Sequence, residues 1–306
     1  MKKILVIGGN GFIGKNLVKQ LVEENYNVYS FDVFEPAVRL ESVHYIIGDF
    51  FDNEMLEKAL IDKDVVIHSL STINPGNSNQ RFMQGYSRDF VQSVYLFDQC
   101  VKRKIKVIFL SSGGTVYGIQ KSQPIKEEFL PNPINHYGSV KLCIESVLRT
   151  FNKQSHSKML IARISNPYGP GQDSKKGVGF IDAALKKTIK KEPIEIWGDG
   201  SIVRDYVYID DVCKMLLSLI DYEGDCDVFN LSSGEGISLN DIIHELNKMG
   251  LNPTVVYKDS RSVDVEKVIL DNHKIKSICP INITKLDYGI KKYYQLLLEL
   301  EKNGGI

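Results

Sequence analysis

Ile4-Leu5-Val6-Ile7-Gly8-Gly9-Asn10-Gly11-Phe12-Ile13-Gly14 stands close to the start of the 306-residue chain and decides how the rest is read. Four consecutive apolar residues without polar alternation predict a strand covered on both faces. Glycines 8, 11 and 14 follow at once, and Ile13, Leu17 and Leu21 then recur at helical spacing. Glycine permits a tight turn, lets backbone N–H groups approach a pyrophosphate and lets the helix pack closely on the strand, while the helix N-terminus supplies positive potential. Gly9, Gly14 and Lys15 also meet the spacing of a phosphate-binding P-loop, but Asn16 stands where a Ser or Thr hydroxyl would hold magnesium.

Working outward, Val28 to Phe31, Val65 to His68 and Val107 to Leu110 are further short β-branched runs, separated by helix-period stretches. Repeated β-α-β units of this kind predict an α/β fold with a Rossmann-type, doubly wound parallel sheet. Asp32 closes the second strand 18 residues after Gly14. A carboxylate there accepts hydrogen bonds from both adenosine ribose hydroxyls and repels a 2′-phosphate, which favours NAD over NADP; a strand-end cap is the plainer alternative. Asp49, after the Ile46-Ile47-Gly48 run, is a candidate neighbour of the adenine or a solvated loop residue.

After Asn166 the texture changes, with two prolines and four glycines in NPYGPGQDSKKGVG. We place a transition here, with residues 1–166 as the cofactor domain and 167–306 as a smaller, interleaved α/β substrate domain. The strand-like Val228 to Ser232 predicts that a segment of about 203–235 returns to the first sheet. Asp210 to Ile220 and Asn240 to Met249 read as amphipathic helices.

Composition narrows the function classes. The 38 Lys+Arg balance 38 Asp+Glu, so no bulk field holds a polyanion, and neither nucleic acid nor an anionic membrane is an expected partner. No stretch approaches the ~18 continuous apolar residues of a membrane span. Five scattered cysteines, never CxxC, point to a reduced, cytoplasmic setting with no metal centre.

The chemistry-bearing pair is Tyr137 and Lys141, four apart on a helix that opens about 25 residues after Ser111-Ser112-Gly113-Gly114. A phenol is a poor base at neutral pH, and lowering its pKa by about three units requires ~4 kcal/mol of preferential phenolate stabilisation. An adjacent ammonium and a positive nicotinamide ring are the expected sources. Apart from the glycine turn, a YxxxK spacing carries little.

In order along the chain, GGNGFIG, Asp32, VVIHSLS, LSSGGTVYG, HYGSVK, ARISNPYGPGQ, WGDGSIVRDYVYIDDV and RSVDVEKVILDNHKIK resemble the motifs of the extended short-chain dehydrogenase/reductases, most closely their NAD-dependent nucleotide-sugar epimerase/dehydratase group. The resemblance implies cofactor contacts at Gly8, Gly11, Phe12, Ile13, Gly14, Asp32, Asp49, Phe50 and Leu70. It implies a catalytic pair at Tyr137 and Lys141, and substrate contacts at Asn166, Val178, Arg204, Arg261, Asp264 and Val268. Surface ion pairing is the alternative for the two arginines and core packing for the valine. A homodimer through helices near Phe90 to Cys100 and Lys141 to Phe151 is a further family expectation.

Three departures matter. Gly113 stands where the family usually carries a catalytic Ser or Thr, leaving Ser112 and Thr115 as candidate oxygens or as plain turn residues. Gly113-Gly114-Thr115 also lacks the acidic pair found in dTDP-glucose 4,6-dehydratases, which argues against elimination. Asp89 replaces a usual Asn, and Leu70-Ser71 replace small alanines. The expected activity is NAD-dependent 4-epimerisation of a UDP-hexose, with room for an N-acetyl group because Val268 is small. A keto-sugar reductase, a UDP-glucuronate-type epimerase or decarboxylase, and a non-catalytic dinucleotide sensor are the alternatives.

Overall fold

A computed structural model of the chain describes residues 1–173, 179–259 and 265–302. The first strands are β1 (Lys3–Ile7), β2 (Asn27–Asp32), β3 (Val43–Ile47), β4 (Val65–His68), β5 (Lys106–Ser112) and β6 (Leu160–Ile164). Short strands follow as β7 (Asn166–Tyr168), β8 (Ile194–Trp197), β9 (Val203–Arg204) and β10 (Tyr206–Tyr208), then β11 (Val228–Leu231), β12 (Ile237–Ser238), β13 (Val255–Lys258) and β14 (Lys267–Val268). Seven of these form a single parallel sheet in the order β11-β6-β5-β4-β1-β2-β3. The order reverses between β1 and β4, and the crevice at that switch point is where doubly wound sheets bind ligands. Val228–Leu231 therefore rejoins the first sheet, against β6.

Both faces of the sheet are covered, which is why its strands read as unbroken apolar runs. Ile4 and Val6 pack with Leu17 and Leu21 of α1 (Phe12–Glu23). Leu5 and Ile7 face the opposite way and pack with Leu96, Phe97, Ile144 and Leu148. On that second face lie α2 (Asn53–Ala59), the continuous run α3 (Phe82–Gln84), π-helical turn Gly85–Phe90 and α4 (Val91–Arg103), and α6 (His136–Ser155), which follows the short α5 (Gly113–Val116). Fully burying one such leucine or isoleucine stabilises by about 1.5–3 kcal/mol, so the two layers dominate the core.

A second core gathers Tyr168, Ile181, Ile196, Leu246, Ile290 and Leu297 from α7 (Phe180–Ile189), α9 (Leu239–Lys248), α11 (Leu286–Lys302) and their strands, whereas α8 (Ile209–Ile220) returns to pack on α1 and α10 (His273–Ile278) lies by β11. Ser238 and Asp241 form a capping box at the start of α9. Asn16 donates from Nδ2 to the Pro170 carbonyl at 2.9 Å, tying α1 to the segment after β7.

Asp205, between β9 and β10, joins these parts. It has no exposed surface, and burial pushes its carboxyl above the usual carboxylate range. Its oxygens accept from the N–H and Oγ of Ser233 at 2.9 and 2.7 Å, from Gly234 N–H at 3.1 Å, from Leu270 N–H at 3.2 Å and from Ser165 Oγ at 3.3 Å. Replacing Asp205 by Asn turns an amide N–H₂ toward backbone donors. We expect a loss of about 3 kcal/mol of stability, read from urea unfolding; an unchanged midpoint would show that the cage bears no weight.

Candidate active site

Gly8 turns the chain after β1 with φ +80°, and α1 starts from Gly11 with no side-chain cap and no acidic residue in its first turn. Its first amide donors thus remain available to an anion. A Cβ on Gly14 would run into the Gly8 carbonyl oxygen and stand 2.9 Å from the Gly9 Cα, so only glycine lets the helix seat directly on its own entry turn. At the end of β2, Asp32 accepts from Asn10 N–H at 2.9 Å and from Val33 N–H at 2.8 Å. It caps its strand and fixes the glycine turn beside a carboxylate. Leu70 follows β4, and its N–H nitrogen lies 3.0 Å from where a Cβ on Gly8 would stand.

The other expected cofactor contacts fall differently. Asp49 is exposed, accepts from Phe51 N–H at 3.0 Å and faces Arg88 at 3.8 Å. The Phe50 ring is buried against the rings of Phe51 and His68, so its side chain serves the core.

Asn135 caps α6 by accepting from Gly138 N–H at 2.8 Å, which places Tyr137 and Lys141 in the first two turns, facing the C-terminal ends of β4 and β5. Lys141 is 3% exposed. Its ammonium donates to the Leu110 carbonyl at 3.0 Å and stands 4.7 Å over the Phe109 ring and 5.6 Å from the Tyr137 ring centre. Burial pulls its pKa down to about 8, against the pull of Asp89 and Glu145. Tyr137 is pushed up, first by burial and then by the negative charge of Asp89. The sequence predicts a lowered phenol; burial and the neighbouring Asp89 carboxylate push it the other way.

Asp89 sits in the π-helical turn, 3% exposed, and accepts from Thr72 Oγ1 at 2.6 Å, Thr72 N–H at 2.8 Å and Ser71 Oγ at 2.8 Å. It holds the segment after β4 to the π-helical turn, which packs on the tyrosine's helix. Such turns recur at functional sites.

Ser112 ends β5 and Thr115 lies in α5. The Thr115 hydroxyl is buried without a hydrogen-bond partner, and its carbonyl oxygen packs 2.5 Å from the Cβ position of Gly138. The Asn166 amide lies about 3.8–3.9 Å from the Cβ position of Gly114, and its Nδ2 donates to the Asp205 carbonyl at 3.2 Å. Arg204 donates from Nη1 to the carbonyls of Val265 and Val203 at 2.7 and 2.9 Å. Val268, its register partner, is buried with Val116, Tyr117, Ile125 and Leu270. Val178, Arg261 and Asp264 lie outside the described residues.

An uncapped helix start, a turn with no room for side chains and a strand-end carboxylate together fit an adenosine dinucleotide diphosphate such as NAD. Among the described residues no cluster of His, Cys, Asp or Glu is built to hold a metal, and no helix is long and apolar enough to cross a membrane.

Residues 4–232 match the family described as the NAD dependent epimerase/dehydratase family. The chain belongs to that family. It is 30% identical to a putative UDP-glucose 4-epimerase of Methanocaldococcus jannaschii, over 94% of this chain and 96% of the relative. It is 32% identical to a dTDP-4-dehydro-6-deoxyglucose reductase of Escherichia coli, over 88% of each. Among solved structures it resembles the UDP-glucose 4-epimerase of Thermotoga maritima with UDP-glucose, at 31% identity and TM-score 0.90, covering 98% of this chain and 99% of that one. NAD is accordingly that family's cofactor.

Two predictions follow from this geometry. Gly14→Ala places a methyl against backbone that cannot retreat, so the purified variant is expected to lack the NAD that the parent retains, measured after denaturation; retained NAD would contradict the seating. Lys141 has a folded pKa of about 8 against an ordinary 10.5, so the unfolded chain binds that proton more tightly and stability rises with pH between the two values. Relative to Lys141→Met, the cofactor-free protein is expected to gain up to about 3 kcal/mol as pH climbs from neutrality past that window. Urea midpoints across pH would measure it, and a flat difference would deny the buried ammonium.

Proposed function

We propose that the protein is an NAD-dependent nucleotide-sugar 4-epimerase that interconverts UDP-glucose and UDP-galactose and accepts their N-acetylated counterparts. The observation that carries this reading is the convergence of Tyr137 and Lys141 with the Gly8–Gly14 turn at the C-terminal ends of β1, β4 and β5. The similarity to UDP-glucose 4-epimerases over nearly the whole chain supports it. Bound NAD supplies the hydride acceptor and donor for the sugar C4, and its positive ring adds to Lys141 in favouring the phenolate.

Tyr137 takes the proton of the sugar 4-hydroxyl and returns it after the 4-keto sugar has presented its other face. Lys141 holds a positive charge beside the phenol at neutral pH. Arg204 and Arg261 grip the diphosphate, with Asn166, Asp264 and Val178 along the sugar, so the nucleotide stays fixed while the hexose swings. Ser112 and Thr115 supply hydroxyls beside the phenol. Residues 1–166, with about 203–235, form the cofactor half, and the remainder the sugar half.

A reductase is the second reading, favoured by one feature: burial and Asp89 keep the Tyr137 phenol protonated, which suits proton donation to a keto-sugar. The similarity to a dTDP-4-dehydro-6-deoxyglucose reductase agrees with it. We further propose a cytoplasmic homodimer that supplies glycosyl donors for polysaccharide assembly. Five free cysteines suit a reduced compartment. Exposed Val91 and half-buried Val94 and Leu142 suit a helix-pair interface, whereas Leu148 belongs to the core.

Incubation with UDP-glucose and no added cofactor should yield UDP-galactose, and Tyr137→Phe should lower kcat by about 10³-fold with the fold intact by circular dichroism. Turnover that consumes stoichiometric NADH would select the reductase, and undiminished turnover by the variant would remove Tyr137 from the chemistry.

A further inference from the structure

Gly113 opens α5, which packs on the helix that carries Tyr137, and the space its missing side chain would occupy is already filled. A Cβ built there overlaps the Leu270 Cδ1 methyl and stands 3.4 Å from both Leu270 Cγ and the Arg163 carbonyl oxygen. Leu270 is completely buried, and its backbone cannot slide aside. Its N–H donates to Asp205 Oδ2 at 3.2 Å, its carbonyl accepts from Ser232 Oγ at 3.3 Å, and its main chain bridges to Ile125. The segment 268–272 reaches this point from the far end of the sequence. Two residues further on, the Thr115 hydroxyl is buried without a partner.

We infer that Leu270 is a positioning residue of the proton-transfer site, seated in the volume that a side chain at 113 requires, so that a substitution at 113 is accommodated only when the Leu270 side chain moves or is trimmed. The inference rests on the proposed epimerase reading for its catalytic half. Its steric half stands on packing alone. Leu270 holds the Gly113-Gly114 turn close against β6 and so sets the distance between Thr115 and the first turn of α6. A hydroxyl at 113 is compatible with this backbone once residue 270 is trimmed.

The test is a mutant cycle of Gly113→Ser, Leu270→Ala and their combination, with Gly113→Ala/Leu270→Ala as the hydroxyl-free control. Gly113→Ser alone is expected to lower Tm and to reduce kcat by about tenfold or more through displacement of Leu270. The serine double variant is expected to melt well above the sum of the two single effects, because the new side chain enters the cavity left by leucine. Its kcat should exceed that of the alanine double variant by about tenfold at unchanged KM, a split that packing alone does not produce. Additive Tm changes, or a Gly113→Ser variant that behaves as wild type, would overturn the pairing; equal kcat in the two double variants would overturn its place in proton transfer. If Leu270→Ala unfolds, Leu270→Val supports the same comparison. Coupled Tm changes with no UDP-sugar turnover in any protein, wild type included, would reject the epimerase reading while retaining the packing.

Discussion

The Asp205 carboxylate, with five donors from segments near residues 165, 233 and 270, is the constraint on which the packing at the C-terminal end of β6 and β11 depends. An ionised group with no exposed surface is tolerated only where its lone pairs are met, so those segments must stay where the donors point. The neighbours inherit the order. The Asp205 carbonyl receives the main-chain and side-chain N–H groups of Asn166, and Arg204 and Tyr206 flank it on β9 and β10. Leu270, delivered by the same cage, then closes on Gly113.

A second buried network fixes the tyrosine's helix. Glu145, two turns beyond Tyr137, accepts from Arg163 Nε at 3.0 Å and Nη2 at 2.6 Å and from Ser111 Oγ at 2.5 Å, which locks α6 to β5 and β6. The Arg163 guanidinium lies 4.6 Å over the Tyr117 ring, and Tyr117 donates to Asn230 Oδ1 at 2.8 Å on β11. Side chains from β5, β6 and β11, with Tyr117 at the end of α5, thus set the pitch and azimuth of the helix that carries the phenol. Such a network is costly when half satisfied and rigid when complete, and rigidity is what proton transfer over hydrogen-bond distances needs.

Much of this was legible in the sequence because it is local. A strand followed by glycines at 8, 11 and 14, and a Tyr and Lys four apart, are relations within one element or one turn. The unbroken apolar runs likewise announced strands buried on both faces. What escaped notice is non-local. Asp205 reads as one more acid in a polar stretch, since its donors lie 28 to 65 residues further on and 40 before. Nothing in the pattern distinguishes Arg163 from a surface arginine. The β3 and β6 strands were not singled out, β3 because it is an edge strand with mixed burial. The resemblance names Phe50 as a cofactor contact, and its ring instead packs in the core against Phe51 and His68.

The bond from Asn16 to the Pro170 carbonyl, with the Lys15 stem lying over Gly171, links the phosphate-facing helix to the loop after β7. The helix therefore acts as a shared axle: its N-terminal end carries the glycine turn, and its flank carries the start of the loop after β7. Thermodynamic reciprocity then applies across it. Whatever free energy one ligand gains by steadying that axle is credited in equal measure to the other, without a single atom of the two needing to touch there.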